Sequence, residues 1–252
     1  MSDQNAYQHF ATFYDVLMSD APYDLWVEFL KRKTLQYGIT GGRLLDVGCG
    51  TGTLALMLSA TGYQVTGVDL SEEMLAVALD KALQEDVNVH FIQQDMRHLD
   101  LGETFEVVTA FCDVMNYLEN ESDVMSSLQS VYHHLAPGGL FLFDVHSVYK
   151  MDCLFRNHSF SYAGEDLAYI WDVFEGAFPH SVEHEISFFV EESPGLYRRF
   201  DECHRQRTFP VEFYKSRLEQ TGFTVLSVEG DFKEGRPAED AERLFFTAVK
   251  AT

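Results

Sequence analysis

The sequence predicts an α/β protein with a mostly parallel sheet, helices on both of its faces and an inserted antiparallel β-sheet. Three observations support this class. Short apolar segments alternate with helix-like segments between Arg43 and His146, aromatic strand-like segments replace that alternation between Val148 and Arg207, and the alternation then returns. Strands that alternate with helices favour parallel pairing, because each helix provides the crossover between two strands.

Five strands and the helices between them are predicted in the first part of the chain. Ser71 is predicted to cap the helix after the second strand, with Glu72 and Glu73 in the first turn, where carboxylates interact favourably with the helix dipole. The helix before the fifth strand is predicted to end at Pro137 and Gly138. The strand candidates are residues 43–48, 63–70, 87–95, 105–113 and 138–146.

Residues 148–207 alternate aromatic and polar side chains in a way that is typical of antiparallel strands joined by turns. A helix follows from Pro210 to Gly222, and two final strands are predicted to pair antiparallel. We therefore predict two domains. They are an α/β domain of residues 1–147 and 208–252 and an inserted β-subdomain of residues 148–207.

The charge balance argues against two classes of partner. The chain carries 40 acidic and 18 basic residues, which gives a formal net charge of -22 at pH 7. Proteins that bind nucleic acids need a basic surface to neutralise phosphates, and anionic membranes attract the same kind of surface. We therefore expect no nucleic acid and no membrane as a partner.

Cysteine usage and the opening residues predict a cytoplasmic protein without a metal site. The four cysteines form no C-x-x-C pair, which argues against both a disulfide framework and a zinc site. His180 and His184 would lie about 13 Å apart along a strand, too far to share a metal ion. The segment MSDQNAYQHF lacks the features of a signal peptide, and no apolar run approaches the roughly 20 residues of a spanning helix. The sequence leaves the oligomeric state open.

A glycine-rich turn follows the first predicted strand, with an aspartate just before it. Gly48, Gly50 and Gly52 have a G-x-G-x-G spacing. Dinucleotide-binding turns have G-x-G-x-x-G, and Thr53 stands where that motif needs its last glycine. Asp46 lies two residues before the first glycine, where it would repel a pyrophosphate and attract a cation.

Two further aspartates end the next strands. Asp69 follows the first glycine by 21 residues, the position from which a carboxylate accepts hydrogen bonds from ribose hydroxyls. Asp95 ends the third strand and is placed to meet the exocyclic amine of an adenine. Together the acids indicate a ligand with a positive centre, a ribose and an adenine, and without phosphates.

These residues resemble a motif of the class I S-adenosylmethionine-dependent methyltransferases. The glycine loop of that family has the form h-h-D-h-G-x-G-x-G, where h is apolar, and this chain has LLDVGCGTG, followed by VTGVDLS and QQDM. The resemblance implies S-adenosylmethionine as the cofactor. It also implies a Rossmann-like seven-stranded methyltransferase sheet with its last strand antiparallel, covering roughly residues 38–147 and 208–251.

The resemblance implies a role for each position of the motif. The glycines would line the methionine part of the cofactor, and Asp69 would bind the ribose, with the next residue against the adenine. Asp95 and Met96 would hold the adenine edge, and residues 111–113 would cover the sulfonium. Taken singly, Asp69 could instead cap a helix and Met96 could pack in the core. The implied cofactor-binding residues are Asp46, Gly48, Gly50, Gly52, Asp69, Leu70, Asp95, Met96, Phe111 and Asp113.

The N-terminal segment YQHFATFYDVL resembles the opening of a group of small bacterial methyltransferases with the signature Y-x-x-F-A-x-x-Y-D-x-L. Tyr7, Phe10 and Tyr14 have the i, i+3, i+7 spacing of one helix face. Two interpretations stay open. The aromatic stripe packs in the core, or it belongs to a lid helix in which Tyr7 or Tyr14 closes over the amino-acid end of the cofactor.

Candidate acceptor-site residues follow strands four and five. Methyl transfer from a sulfonium mainly requires alignment, so no dedicated nucleophile or metal is predicted. The N-P-P-[YFW] motif of DNA and glutamine N-methyltransferases is absent after strand four, where FCDVMNYL stands. Tyr117 and His146 are candidate catalytic groups by position, with His146 either a base or a structural hydrogen-bonding group. Asn116 is a candidate substrate ligand.

The inserted segment adds further candidates. DECHRQRTF resembles the E-x-H-x-x-R-x-[YF] strand of small-molecule methyltransferases related to glycine N-methyltransferase, which implies Glu202, His204, Arg207 and Phe209. His204 is a candidate catalytic residue, and Arg207 and Trp171 are candidate substrate ligands. Four arginines either pair with neighbouring acids or bind a substrate carboxylate. They are Arg198, Arg199, Arg205 and Arg207.

Three functions remain open at this point. The first is methyl transfer to a nitrogen or oxygen of a small molecule, with the inserted sheet as a substrate lid. The second is methylation of a protein or an RNA base, and the third is binding of the cofactor without catalysis. An open cavity lined by Tyr117, His146, Trp171 and His204 would favour the first function, whereas side chains filling that space would argue against it.

Overall fold

The computed structural model describes residues 11, 14–15, 18–164 and 167–251. Tyr7 and Phe10, two residues of the predicted aromatic stripe, lie outside the described residues. Within the described part of the chain, no helix is long and apolar enough to cross a membrane. The strands are β1 (Gly42–Val47), β2 (Tyr63–Asp69), β3 (His90–Gln93), β4 (Phe105–Ala110), β5 (Leu135–His146), β6 (Ser159–Ala163), β7 (Leu167–Glu175), β8 (Ser181–Ser193), β9 (Leu196–Arg207), β10 (Phe223–Gly230) and β11 (Arg243–Lys250).

The main sheet has seven strands in the order β10-β11-β5-β4-β1-β2-β3. β1 to β5 pair in parallel, and β11 runs antiparallel to both β5 and β10. The predicted fold class is therefore confirmed. Strand order reverses between β1 and β4, and in open α/β sheets ligands bind in the crevice at such a reversal.

Among the described residues, one α-helix precedes β1 and others connect strands, and their ends mostly follow the sequence signals. Ser71 caps its helix as predicted, because its hydroxyl accepts a hydrogen bond from the Met74 amide. The predicted helix end at Pro137 and Gly138 is wrong. The preceding helix ends at His134, and β5 already begins at Leu135. The helices are α1 (Tyr23–Gln36), α2 (Thr53–Ser59), α3 (Glu72–Gln84), α4 (Glu121–His134) and α5 (Val211–Thr221).

Proline is tolerated in β5 because the pairing with β4 is irregular there. The register shifts between Phe105 and Val107, opposite the segment that holds Pro137. A residue without an N–H group loses no ladder hydrogen bond at such a bulge.

Two apolar layers cover the two faces of the main sheet. Alternate residues of β5 enter different layers: Phe141 and Phe143 face one side, whereas Leu140 and Leu142 face the other. α4 and α5 pack on the first side, and α1 and α2 pack on the second. Burial on both faces explains why the central strands are almost continuously apolar.

β6 to β9 form a separate four-stranded antiparallel sheet in chain order, which we call the inserted sheet. It leaves the main domain after β5 and returns before α5. Cross-strand pairs place Trp171, His184, Glu202, His204 and Gln206 on one face, which we call the inner face. The predicted domain boundaries at residues 147 and 208 remain predictions.

Candidate active site

The glycine loop joins β1 to α2, and its backbone is left-handed at each of the three glycines. A Cβ atom on Gly48 would lie 2.4 Å from Cγ1 of Val114, so only glycine allows the loop to approach the turn after β4. Gly50 has a φ of 54°, and no atom lies within 4 Å of the place its Cβ would take. The loop therefore presents bare backbone to open space at Gly50, which is what a closely approaching ligand needs.

Asp69 lies beside this open space and is held by backbone N–H groups. Its Oδ2 accepts from the Gly50 amide at 2.8 Å and its Oδ1 from the Ser71 amide at 2.9 Å. Burial raises the pKa of Asp69, and these two hydrogen bonds oppose the increase. A carboxylate has about four acceptor positions, so two remain for the hydroxyls of a ribose.

Asp46 is a buried residue of the sheet and does not face the loop surface. It is 2% exposed, and its Oδ1 accepts from the Thr109 hydroxyl at 2.7 Å. Burial raises the pKa of Asp46 to about 7, although the Thr109 hydrogen bond opposes the increase. The structure thus places Asp46 beneath the loop, where its charge is partly suppressed near neutral pH.

The residues predicted to hold the adenine lie at the ends of β2 and β3. Leu70 is 65% exposed next to Asp69. Asp95 accepts hydrogen bonds from the amide and the guanidinium of Arg97, which hold its pKa below the usual value. Met96 packs partly against the core. An adenine could rest on Leu70 and meet Asp95, while Met96 fits the packing role equally well.

Asp15 connects the N-terminal segment to the glycine loop, a contact that sequence reasoning missed. Its carboxylate accepts from the Thr51 hydroxyl at 2.6 Å, from Thr53 at 3.2 Å and from the Lys81 ammonium at 2.8 Å. The neighbouring Tyr14 is thereby held near the site. The adjacent tyrosine and aspartate of the N-terminal signature, Tyr14 and Asp15, were the sequence signal that could have indicated this contact.

The turn after β4 is held in an unusual backbone conformation. Cys112 and Asp113 both have positive φ, at 59° and 55°, which non-glycine residues rarely adopt. Asp144 of β5 fixes both residues, because its carboxylate accepts from the Cys112 amide at 2.8 Å and the Asp113 amide at 3.1 Å. It also accepts from the Trp26 indole and the Arg243 guanidinium. Conformations of this kind concentrate at functional sites, where surrounding contacts enforce them.

The turn presents the Asp113 carboxylate, whereas Phe111 points into the core. Phe111 is buried against Phe29, with ring centroids 6.0 Å apart. Burial acts to raise the pKa of Asp113, but His146 and Arg243 lower it well below its usual value. Arg243 binds Oδ1 of Asp113 at 3.0 Å. Asp113 is therefore a fixed negative charge at the carboxyl end of β4.

His146 is part of the support for Asp113 and has little access to a substrate. Its Nε2 lies 3.5 Å from Asp113 Oδ2, and burial lowers its pKa, which favours the neutral ring. The Phe155 ring packs edge-on against the imidazole at 5.2 Å. Its Nδ1 is buried and has no hydrogen-bond partner among the described residues. Of the two roles open for His146, this placement favours the structural one.

Asn116 joins the chain segments on either side of the inserted sheet. Its Oδ1 accepts from the His146 amide and its Nδ2 donates to the Arg207 carbonyl, each at 2.9 Å. The Thr208 hydroxyl also donates to the His146 carbonyl at 2.6 Å. Asn116 is fully buried, so both ends of its amide serve the fold. This position does not suit the substrate-binding role predicted for it.

The side chain of Phe155 divides the cavity that was predicted between Tyr117, His146, Trp171 and His204. Phe155, in the π-helical turn Lys150–Phe155, packs against His146, Trp171 and His184 with centroid distances of 5.2 to 5.6 Å. Trp171 consequently packs on other rings, and its indole donates to His184 Nδ1 at 3.0 Å. The half of the predicted cavity near His146 and Trp171 is filled by side chains.

The other half, around Tyr117 and His204, remains accessible. Tyr117 is 51% exposed, and its hydroxyl lies 3.5 Å from His204 Nδ1. Burial raises the pKa of Tyr117, and so do the charges of Asp113, Asp69 and Glu202, which belong to three different elements. Tyr117 is therefore a half-exposed phenol in an acidic environment. The structure thus brings Tyr117 and His204 together at the edge where the glycine loop ends.

A hydrogen-bond chain crosses from the inner face to Asp113. Trp171 donates to His184, whose Nε2 lies 3.2 Å from the Gln206 side-chain oxygen, and the Gln206 amide donates to Asp113 at 2.8 Å. Since His184 accepts at Nδ1, its proton is on Nε2. Burial lowers the pKa of His184 to about 4, which keeps the ring neutral. Sequence reasoning missed Gln206 altogether.

The arginine cluster pairs with neighbouring groups. Three members bind acids of the inserted sheet at 2.6 to 2.7 Å: Arg198 to Glu192, Arg199 to Asp201 and Arg205 to Glu183. Arg207 stacks on Phe178 and Phe209 and donates to two backbone carbonyls. These contacts favour pairing over recognition of a substrate carboxylate.

Comparison with known proteins gives consistent matches. Residues 44–139 match the family described as "Methyltransferase domain". A Geobacillus sp. (strain WCH70) protein named as a methyltransferase is 49% identical over 97% of this chain and 99% of its own length. A Bacillus subtilis (strain 168) protein, also named as a methyltransferase, is 44% identical over 97% of both chains.

Two further matches concern structure and chemistry. The crystal structure of an S-adenosylmethionine-dependent methyltransferase from Clostridium acetobutylicum ATCC 824 superposes with a TM-score of 0.88 at 28% identity, over 98% of this chain and 99% of that one. A Saccharopolyspora spinosa enzyme named as an N,N-dimethyltransferase of a dTDP-linked amino sugar is 34% identical over 38% of this chain and 37% of its own.

Proposed function

Because the chain belongs to the class I S-adenosylmethionine-dependent methyltransferases, we propose that it transfers the methyl group to a nitrogen or oxygen of a small molecule. One observation carries this proposal. Tyr117 and His204 stand accessible at the edge of the sheet where Gly50 and Asp69 are open to a ligand. The cleft between that edge and the inner face is where an acceptor would meet the cofactor.

The residues at the sheet edge suit the cofactor that the family uses. Gly50 offers backbone without steric obstruction, and Asp69 retains acceptor positions for two hydroxyls. Asp113 supplies a fixed negative charge that suits a cationic ligand. When bound, S-adenosylmethionine supplies an electrophilic methyl group on a sulfonium.

The chain's own groups then have to align the acceptor and remove a proton where the acceptor carries one. His204 is the better candidate for the base, since its side chain is 22% exposed beside Tyr117, whereas His146 is walled off by Phe155. Burial lowers the pKa of His204, so its ring is available in the neutral form. Tyr117 would orient the acceptor.

A small molecule is favoured over a protein or RNA acceptor by charge and by shape. The chain has a net charge of -22, and the arginines of the inserted sheet are paired, so binding of an RNA backbone has little support. Phe155 fills the half of the predicted cavity near His146 and Trp171, so the space for an acceptor is limited to the part beside Tyr117. The match to an amino-sugar methyltransferase is consistent with an acceptor of that size.

Calorimetric titration of S-adenosylmethionine and S-adenosylhomocysteine into the purified protein tests the cofactor site. We expect saturable binding of both, and loss of binding in Gly50→Val, because the new side chain would occupy the open space above the loop. Gly235→Val is the matched control, since Gly235 also has a positive φ and open surroundings but lies in the loop before β11.

Transfer of a labelled methyl group from S-adenosylmethionine to small amines, phenols and acids tests catalysis. We expect a labelled product with at least one class and none with Tyr117→Phe, His204→Ala combined. Cofactor binding without any transfer would favour the non-catalytic alternative.

A further inference from the structure

Glu202 is a buried carboxylate that faces the candidate acceptor cleft. It lies on the inner face of the inserted sheet, paired across the strands with Ile186. Its side chain is only 4% exposed, and among the described residues its one charged contact is His204 Nε2 at 3.9 Å. Burial raises the pKa of Glu202 and no hydrogen bond opposes the increase, so a cation beside this carboxylate would stabilise its charged form.

Within the described part of the chain, no lysine or arginine forms an ion pair with Glu202. The arginines of β9 bind other acids or backbone carbonyls, as described above. Arg243 is held between Asp113 and Asp144. Acidic side chains of two elements lie near Tyr117, namely Asp113 after β4, which is paired with Arg243, and Glu202 on β9.

Aromatic rings border the same position. The Tyr117 ring lies edge-on to the His204 ring, with centroids 6.0 Å apart. Phe200, two residues before Glu202 on the same face, is paired with Phe188. A carboxylate framed by aromatic rings binds an organic ammonium well, because the charge and the ring quadrupoles both attract a cation.

We infer that the acceptor is an amine that arrives as an ammonium ion, and that Glu202 is the residue that binds its nitrogen, opposite Asp113 and beside Tyr117. This inference rests on the proposed function and narrows it to nitrogen methylation. Alcohol and carboxylate acceptors would leave the buried charge of Glu202 without a partner.

Methyl transfer begins with deprotonation of the bound acceptor. The ammonium gives one proton to the Glu202–His204 pair and becomes a neutral amine. The nitrogen lone pair forms the new N–C bond as the C–S bond breaks, and the sulfur keeps that electron pair. The products are an N-methylammonium ion, S-adenosylhomocysteine and a protonated Glu202–His204 pair, which returns its proton to solvent.

The test compares probes that differ only in charge. Phenethylamine, 2-phenylethanol and 3-phenylpropionate, together with hexylamine, hexanol and hexanoate, are titrated into the protein saturated with S-adenosylhomocysteine. We expect the amines to bind at least tenfold more tightly than the matched alcohols and the carboxylates not to bind. Glu202→Gln should lower amine affinity at least tenfold and leave alcohol affinity unchanged.

Glu185→Gln is the control variant, since Glu185 lies on the exposed outer face of the same sheet. Tighter binding of alcohols or carboxylates, binding of none of the probes, or wild-type amine affinity in folded Glu202→Gln would overturn the inference. The probe comparison in the wild-type protein needs no variant and stands even where Glu202→Gln does not fold. Absence of S-adenosylhomocysteine binding would overturn the proposed function itself.

Discussion

Replacing Asp46 with Asn removes a buried acid whose charge is unfavourable in the folded state. Asp46 is 2% exposed beneath the glycine loop, and burial raises its pKa from 3.8 to about 7. Asn has nearly the same shape and its carbonyl oxygen can still accept the Thr109 hydrogen bond. The substitution therefore tests the protonation state with little change in packing.

The sign and size of the expected change in the free energy of unfolding follow from the linkage between proton binding and folding. Between pH 3.8 and about 7 the folded protein holds the Asp46 proton, whereas the unfolded chain has lost it. The stabilisation that the Asp46 proton contributes is fully present below the unfolded-state pKa of 3.8. Above that pH it declines by about 1.4 kcal/mol per pH unit, until the pH reaches the folded-state pKa. From pH 5.5 to pH 8 the wild-type protein should lose about 2 kcal/mol that the Asn variant keeps.

Urea unfolding of both proteins at pH 5.5 and pH 8 measures this difference. We expect the free energy of unfolding of Asp46→Asn, relative to the wild type, to increase by about 2 kcal/mol between the two pH values. Asp69→Asn is compared with Asp46→Asn, because Asp69 is a neighbouring acid whose carboxylate accepts hydrogen bonds from two backbone amides. An equal destabilisation of Asp46→Asn at both pH values would show that the ionised carboxylate is needed and would refute the reasoning.

Three other substitutions test the site and its supports. Asp69→Ala should weaken S-adenosylmethionine binding by about 10- to 100-fold in calorimetry, from lost hydrogen bonds of about 1.5–3 kcal/mol; an unchanged affinity would refute the ribose assignment. Glu229→Ala should cost about 3–5 kcal/mol in urea unfolding, because it leaves Lys33 buried without its partner. That cost should shrink as pH falls through the depressed pKa of Glu229, and a pH-independent cost would contradict it. Asn116→Ala should speed amide exchange in β6 to β9 more than in β1 to β5, and uniform exchange would argue against the joining role.

Local patterns predicted the main sheet and the glycine loop because their signals lie within short stretches of sequence. The spacing of Gly48, Gly50 and Gly52 and the acid at the end of β2 need only neighbouring residues to be recognised. The predicted helix end at Pro137 was wrong because strand pairing with β4 overrode the local breaker signal. α1, which was not predicted, precedes the alternating region that guided the assignment.

The supports of the site were beyond prediction because they join residues far apart in sequence. Asp15 meets Lys81 across 66 residues, and Gln206 meets Asp113 across 93. Asn116 was selected for its position after β4, yet its amide is used by backbone groups 30 and 91 residues away. Phe155 fills half of the expected cavity from a π-helical turn that has no periodic signal.

Because Asn116 anchors the chain on both sides of the inserted sheet, its contacts have a consequence for building chimeras with this chain. Because Asn116 holds the backbone at His146 and at Arg207 together, an inserted sheet taken from a relative must enter and leave through the same pair of backbone positions. The graft must also bring an amide in place of Gln206 to meet Asp113. An inserted sheet can therefore be exchanged between relatives only together with these contacts, and a graft that ignores them would leave the strained turn after β4 without its donor.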